Sequence, residues 1–201
     1  MIDKTLQLLK SELTSYLIAK GDNAANVIID NIGLSETASG TSLTDSIVIS
    51  LVNIEEESTL KNQSPLKRFP SGTAIYENAP VYLNLYVLLS CNYFGDGYVL
   101  ALKRLSSVIR FLQSKTSFAS ASSGSGGSTD PNDTEELTFT MELYTLTFEQ
   151  INHLWGSLGG RQVPFAMYKL RLVAISEHAT VREVPLIEEI ETNISTLSGH
   201  N

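Results

Sequence analysis

Along the first twenty positions, apolar residues recur at spacings of four and three: Ile2, Leu6, Leu9, Leu13, then Tyr16 or Leu17. That period predicts an amphipathic helix with one buried stripe. Lys20 and Gly21 suit its end, a cation for the last carbonyls and a residue free to turn left-handed. A short strand over 26–32 follows, then a Ser/Thr/Gly-rich loop over 33–44. Residues 45–54 read as a second strand, with Ile47, Ile49 and Leu51 on one face. The segment 55–76 is polar and irregular, broken by Pro65 and Pro70, and reads as a long loop of the kind that carries function.

The strongest alternation lies in 80–93. Val81, Leu83, Leu85, Val87 and Leu89 form one face of a strand; Tyr82, Asn84, Tyr86 and Ser90 form the other. Gly95, Asp96 and Gly97 make a turn. Residues 98–115 predict a helix with a wide apolar face that includes Leu102, Leu105, Ile109 and Leu112. The stretch 117–134 is low in complexity and predicts a flexible surface loop. Residues 135–145 return to alternation, with Leu137, Phe139, Met141 and Leu143 apolar. Thr147 and Gln150 have the spacing of a capping box. The helix they open carries Phe148, Ile151, Trp155 and Leu158 on one side and stops at Gly159 and Gly160. A last long strand spans 164–176, and an acidic tail runs from 177 as an edge segment or a mobile end. The fold class expected is α+β: a mixed, mostly antiparallel sheet packed by about three helices, in one domain over 1–201.

Composition narrows the function. The chain has 201 residues, 42% hydrophobic and 18% charged, which is globular. Net charge is −8, from 14 basic and 22 acidic residues. An acidic chain gains no counterion release on a polyphosphate, so no nucleic-acid partner is expected. No apolar run reaches the roughly 20 residues of a membrane span, and Asp3, Lys4, Lys10 and Glu12 interrupt any leader-like segment. Assembly in the cytoplasm is therefore expected, without direct membrane insertion. The single cysteine, Cys91, lies in an apolar run and reads as a small buried hydrophobe.

Motifs that carry chemistry are missing. His153, His178 and His200 have no metal-ligand spacing around them. The glycines at 124, 126 and 127 are neither fed by a strand nor followed by a helix, so they do not cradle a phosphate. Glu55, Glu56 and Glu57 have no second ligand cluster, and a solvated or partner-binding face is the expectation there. No cofactor, metal or catalytic residue is expected.

Three segments together carry a resemblance. They are Ser50 to Glu57 with Leu60, Lys61 and Asn62; Pro80 to Leu89; and Leu158, Gly159 and Gly160 with Pro164 to Leu172. In this order they resemble the N-terminal domain of the cap protein of phage-tail-like contractile particles, such as the Photorhabdus virulence cassettes and antifeeding prophages. The resemblance spans nearly the whole chain. It implies a tail-terminator fold and a hexameric ring. That ring would end the inner tube and anchor the last sheath ring, with tube and sheath proteins as partners. The particle would be either released or membrane-anchored.

On that reading Glu55, Glu56 and Glu57 of one subunit face Lys61, Lys67 or Arg68 of the next. Strand 164–176 would be a sheet edge, guarded by Lys169 and Arg171 and open to an added arm. Two alternatives stand beside it: another phage-like neck or adaptor protein, and a small α/β hydrolase using His153 with a distant acid.

Overall fold

The computed structural model describes residues 1–34, 43–60, 66–68, 73–77, 81–122, 135–175 and 180–185. Nine strands and three α-helices occur among them. In chain order they are α1 (Ile2–Ala19), β1 (Asn26–Ile29), β2 (Ser46–Glu56), β3 (Leu66–Arg68), β4 (Thr73–Glu77), β5 (Val81–Asn92), α2 (Tyr98–Ser114), β6 (Ser117–Ser122), β7 (Glu135–Leu143), α3 (Phe148–Ser157), β8 (Phe165–Ile175) and β9 (Thr180–Pro185). Six strands form one sheet in the order β1-β2-β5-β8-β7-β6. Its β1–β2 pair is parallel and its other pairs are antiparallel. A second sheet, β3-β4-β9, is antiparallel throughout. The expected α+β class with a mostly antiparallel sheet is the observed one.

The six-stranded sheet carries helices on both faces, so where both are covered Val48 and Leu88 are buried as fully as Ile47 and Leu89. Helices α1 and α2 cover one face. Leu6, Leu9, Leu13 and Leu17 of α1 meet Val27, Ile47, Ile49, Leu85, Val87, Leu89 and Cys91. From α2 come Ala101, Val108, Phe111 and Leu112. Helix α3 covers part of the other face, with Trp155 packing against Val48, Tyr86, Leu88 and Met167. Burial pushes the Cys91 thiol up to about 12, so it stays a neutral hydrophobe. Thr147 and Gln150 form the reciprocal capping box at the start of α3. Gly159 and Gly160 leave α3 with φ of +100° and +79°, which no side-chain-bearing residue adopts cheaply.

One buried ion pair ties the helical layer together. Arg104 is almost fully buried, and its Nε and Nη2 donate to Asp22 Oδ2 and Oδ1 at 2.9 and 2.8 Å. Its Nη1 donates to the Tyr93 hydroxyl. The turn after α1 is thereby fastened to α2 and to the end of β5. The guanidinium holds the Asp22 carboxyl below its ordinary range.

Several expectations are corrected. Strand 164–176 is not an edge: β8 lies between β5 and β7, and the edges of the sheet are β1 and β6. Nor is it the last strand, because β9 follows and pairs with β4. The segment 55–76 is not one loop. It contains the end of β2, a 3-10 turn at Ser58–Leu60, and both β3 and the start of β4. The first part of 117–134 is β6, anchored by buried Phe118 stacked on Phe139 at 5.1 Å. Residues 123–134 lie outside the described residues. The first strand is shorter than 26–32 and ends in a 3-10 turn at Ile32–Leu34. In α2 the covered face is Ala101, Arg104, Val108, Phe111 and Leu112, so Leu102 and Ile109 face outward.

Candidate assembly surface

Beyond the part of the sheet that α3 covers, the same face becomes polar. Two irregularities create it. Pairing of β2 with β5 slips by one residue between Leu51 and Asn53. A one-residue bulge exchanges the faces of everything beyond it. Ile47 and Ile49 therefore point at the helices, while Glu55 and Glu57 point to the opposite face beside Tyr86 and Asn84. A second slip lies in the β5–β8 pairing between Leu83 and Leu85.

On this face the acids of β2 meet the cations of β8. Glu57 Oε2 accepts from Asn84 Nδ2 at 2.9 Å. Glu57 Oε1 accepts from the Thr59 hydroxyl at 2.7 Å and from its backbone N–H at 3.3 Å. Arg171 Nη2 lies 3.7 Å from Glu57 Oε2. These donors, the Asn84 amide first, lower the Glu57 carboxyl to about 2. Arg171 also donates to Glu142 Oε1 on β7 at 3.3 Å. Beside this group, Glu55 Oε2 accepts from the Tyr86 hydroxyl at 2.7 Å, and Lys169 Nζ stands 5.6 Å above the Tyr86 ring. Tyr144 packs edge-on to that ring at 5.0 Å. Burial and the Glu55 acceptor push the Tyr86 phenol up to about 12.

Four of the residues singled out in the sequence thus converge: Glu55, Glu57, Lys169 and Arg171. They do so within one chain, so Lys169 and Arg171 are not guards of a free edge. By strand alternation Glu56 projects to the opposite face and is exposed. Lys61 lies outside the described residues. Lys67 and Arg68 lie on β3, opposite Ile75 and Ala74 of β4. Asn84, Tyr86 and Glu142 were missed as site residues. The signal for two of them was present, as polar side chains alternating within the most apolar strand. His153 is exposed on α3. Among the described residues no cluster of His, Cys, Asp or Glu has the arrangement of a metal site, and no helix is long and apolar enough to cross a membrane.

The six-stranded sheet with α1 and α2 on one face and α3 on the other defines an α+β domain of the fold seen in tube-terminating caps. It is similar to the "PVC sheath/tube terminator in extended state" of an extracellular contractile injection system, with a TM-score of 0.66 at 14% identity. It is also similar to the anti-feeding prophage cap, described as a tube-terminating cap, with a TM-score of 0.64 at 15% identity. The chain belongs to the Pvc16 N-terminal domain family, whose model matches residues 4–189. All of the chain aligns with the first structure and 96% of it with the second, but it spans only 65% and 61% of those chains. No curated protein matches it.

Proposed function

We propose that this chain is a structural cap, a tail terminator, of a phage-tail-like contractile injection system, and not an enzyme. It would form a ring, a hexamer, that ends the inner tube and anchors the last sheath ring. The observation that carries this reading is the family match over 4–189 together with a terminator fold across the whole chain. The geometry agrees in kind. The charged face is a network of ion pairs and hydrogen bonds that joins Glu55, Glu57, Asn84, Tyr86, Glu142 and Arg171, with the Asn84 Oδ1 left without a partner. A network of that kind stiffens a sheet that other subunits bear on.

Tube and sheath proteins of the particle are the partners, and the particle assembles inside the cell. An extended arm from a partner would add at β1 or β6, the edge strands of the six-stranded sheet, by main-chain hydrogen bonds. Exposed Glu56 on β2 and Lys67 and Arg68 on β3 remain the charges proposed to meet a neighbouring subunit.

Deleting the chain's gene from a complete particle locus tests the reading. Electron micrographs should show tubes of uncontrolled length or sheaths lost from the end distal to the baseplate. Particles of normal length with a normal distal end would overturn it. Reversing Lys67 and Arg68 to Glu should weaken ring assembly or docking, read by light scattering and by the fraction of capped particles.

A further inference from the structure

Strand β6 ends the six-stranded sheet, and among the described residues no strand pairs with its outer side. Its register shows which backbone groups are left over. The Met141 N–H donates to the Thr116 carbonyl at 2.8 Å, and Ser117 lies opposite Thr140. Backbone groups alternate in direction along an antiparallel strand. Phe118 and Ser120 therefore bond to β7, while Ser117, Ala119 and Ala121 point their N–H and C=O away from the sheet. Exposed edges normally carry a guard: a charge, a proline, a bulge or a very short strand. β1, the other edge, has four residues and runs straight into Asp30. β6 has six residues, no charge and no proline, and it pairs with β7 without a register shift. An edge left unguarded in this way is a template for another strand.

Beside this edge runs a groove of about 410 Å³, between the N-terminal half of α1 and the sheet. Phe118 points into the core under the helices, and Ser120 is the next residue on the same face. Because Ser120 is small, space remains beside it, walled by Leu8 of α1 and Leu137 of β7. A benzene ring fills a cavity of about 150 Å³, so the groove accommodates a large apolar side chain. On the opposite face of these two strands Ser117, Ala119 and Thr138 are exposed. A strand laid along β6 thus meets an apolar recess on one side and water on the other.

We infer that β6 and this groove together seat an extended segment of another protein of the particle, one in which apolar and polar residues alternate. Its backbone bonds to Ser117, Ala119 and Ala121. Its side chain level with Ser120 enters the groove, and the residues on either side of that one face water. Main-chain bonds supply affinity for any extended chain, and the groove selects the sequence. Neither edge of a second copy's six-stranded sheet supplies the side chain required. β6 itself carries Ser and Ala beyond its buried Phe118. In β1, Val27 is already buried under its own α1, and Ile29 is the final residue. The inference rests on the cap reading proposed above; it selects β6 from the two edges and states the chemistry of the arm.

Ala119→Pro tests it in the full-length chain. The substitution removes an outward N–H that β7 does not use, so the denaturation midpoint should stay at the parental value. The fraction of capped particles should fall about tenfold. Ser120→Trp fills the groove from within and should lower that fraction to a similar extent. Hydrogen exchange gives a readout on the unaltered chain. In the isolated chain the amides of Ser117, Ala119 and Ala121 should exchange fast and those of Phe118 and Ser120 slowly; in assembled particles all five should be slow. Fast exchange of the three outward amides in particles overturns the inference. So does their protection in the isolated chain, which would mean that a second copy or a segment of the same chain occupies the edge. Parental capping by both variants overturns it as well. Loss of the cap reading itself has a separate signature, normal particles after gene deletion.

Discussion

At the residue scale, the most informative group is Glu57. Four features act on it: the Asn84 amide, the Thr59 hydroxyl, the Thr59 backbone N–H and the Arg171 guanidinium. Its folded pKa, about 2, lies below the ordinary 4.5. The sign follows from linkage. A depressed carboxylate contributes stability above its unfolded pKa, and that contribution is lost as pH falls toward the folded one. Glu57→Gln should therefore be less stable than the parent near neutral pH, with the gap closing between about pH 4.5 and 2, as chemical denaturation at a series of pH values would read. Asp22 plays the matching part for Arg104. Asp22→Asn leaves the buried guanidinium only neutral acceptors, the amide oxygen and the Tyr93 hydroxyl, and because Asp22 is itself partly exposed the cost should be about 2 kcal/mol. Thr147→Ala removes the acceptor that satisfies the Gln150 N–H and should cost about 1 kcal/mol. Both would show as lowered denaturation midpoints at unchanged slope.

At the element scale, the strands divide by what their neighbours do. β5 and β7 were legible because their alternation is long and their apolar residues are large. β6 was not, because Ser117, Ala119, Ser120, Ala121 and Ser122 carry almost no side-chain signal. Its backbone pairs with β7 along its whole length, and buried Phe118 anchors it to the core. Phe139→Ala removes the ring on which Phe118 stacks and should cost about 3–5 kcal/mol in thermal or denaturant unfolding. The same logic explains β8. Lys169 and Arg171 looked like edge charges, since a charge on an outward face usually keeps a strand from pairing. Arg171 instead pairs with Glu57, just past β2, and with Glu142 on β7, and Lys169 stands over the Tyr86 ring, so a central strand carries both at no loss of pairing. Helix α2 shows the converse. Its sequence advertises a wide apolar face correctly, and only part of that face finds the sheet.

At the scale of the whole molecule, a sheet with helices on both faces and a hydrogen-bonded, ion-paired polar end describes a stiff block rather than a cleft. A block of this kind is suited to repeated contact with its own kind in the ring proposed above. Such contacts are built from shape and a few buried aromatics, which is why no motif announces them.

What the sequence by itself determined was the helices, the core strands, the capping box, the α+β class and the kinship carried by three ordered segments. Each is local or periodic, and period and cap chemistry are written in neighbouring residues. What only the tertiary structure decided was the strand order, the interior place of β8, and the face on which each acid lies. A single inserted residue between Leu51 and Asn53 turns Glu55 and Glu57 from the helical side toward Tyr86 and Asn84. Alternation within one strand cannot reveal such a slip, because it exists only in the register between two strands.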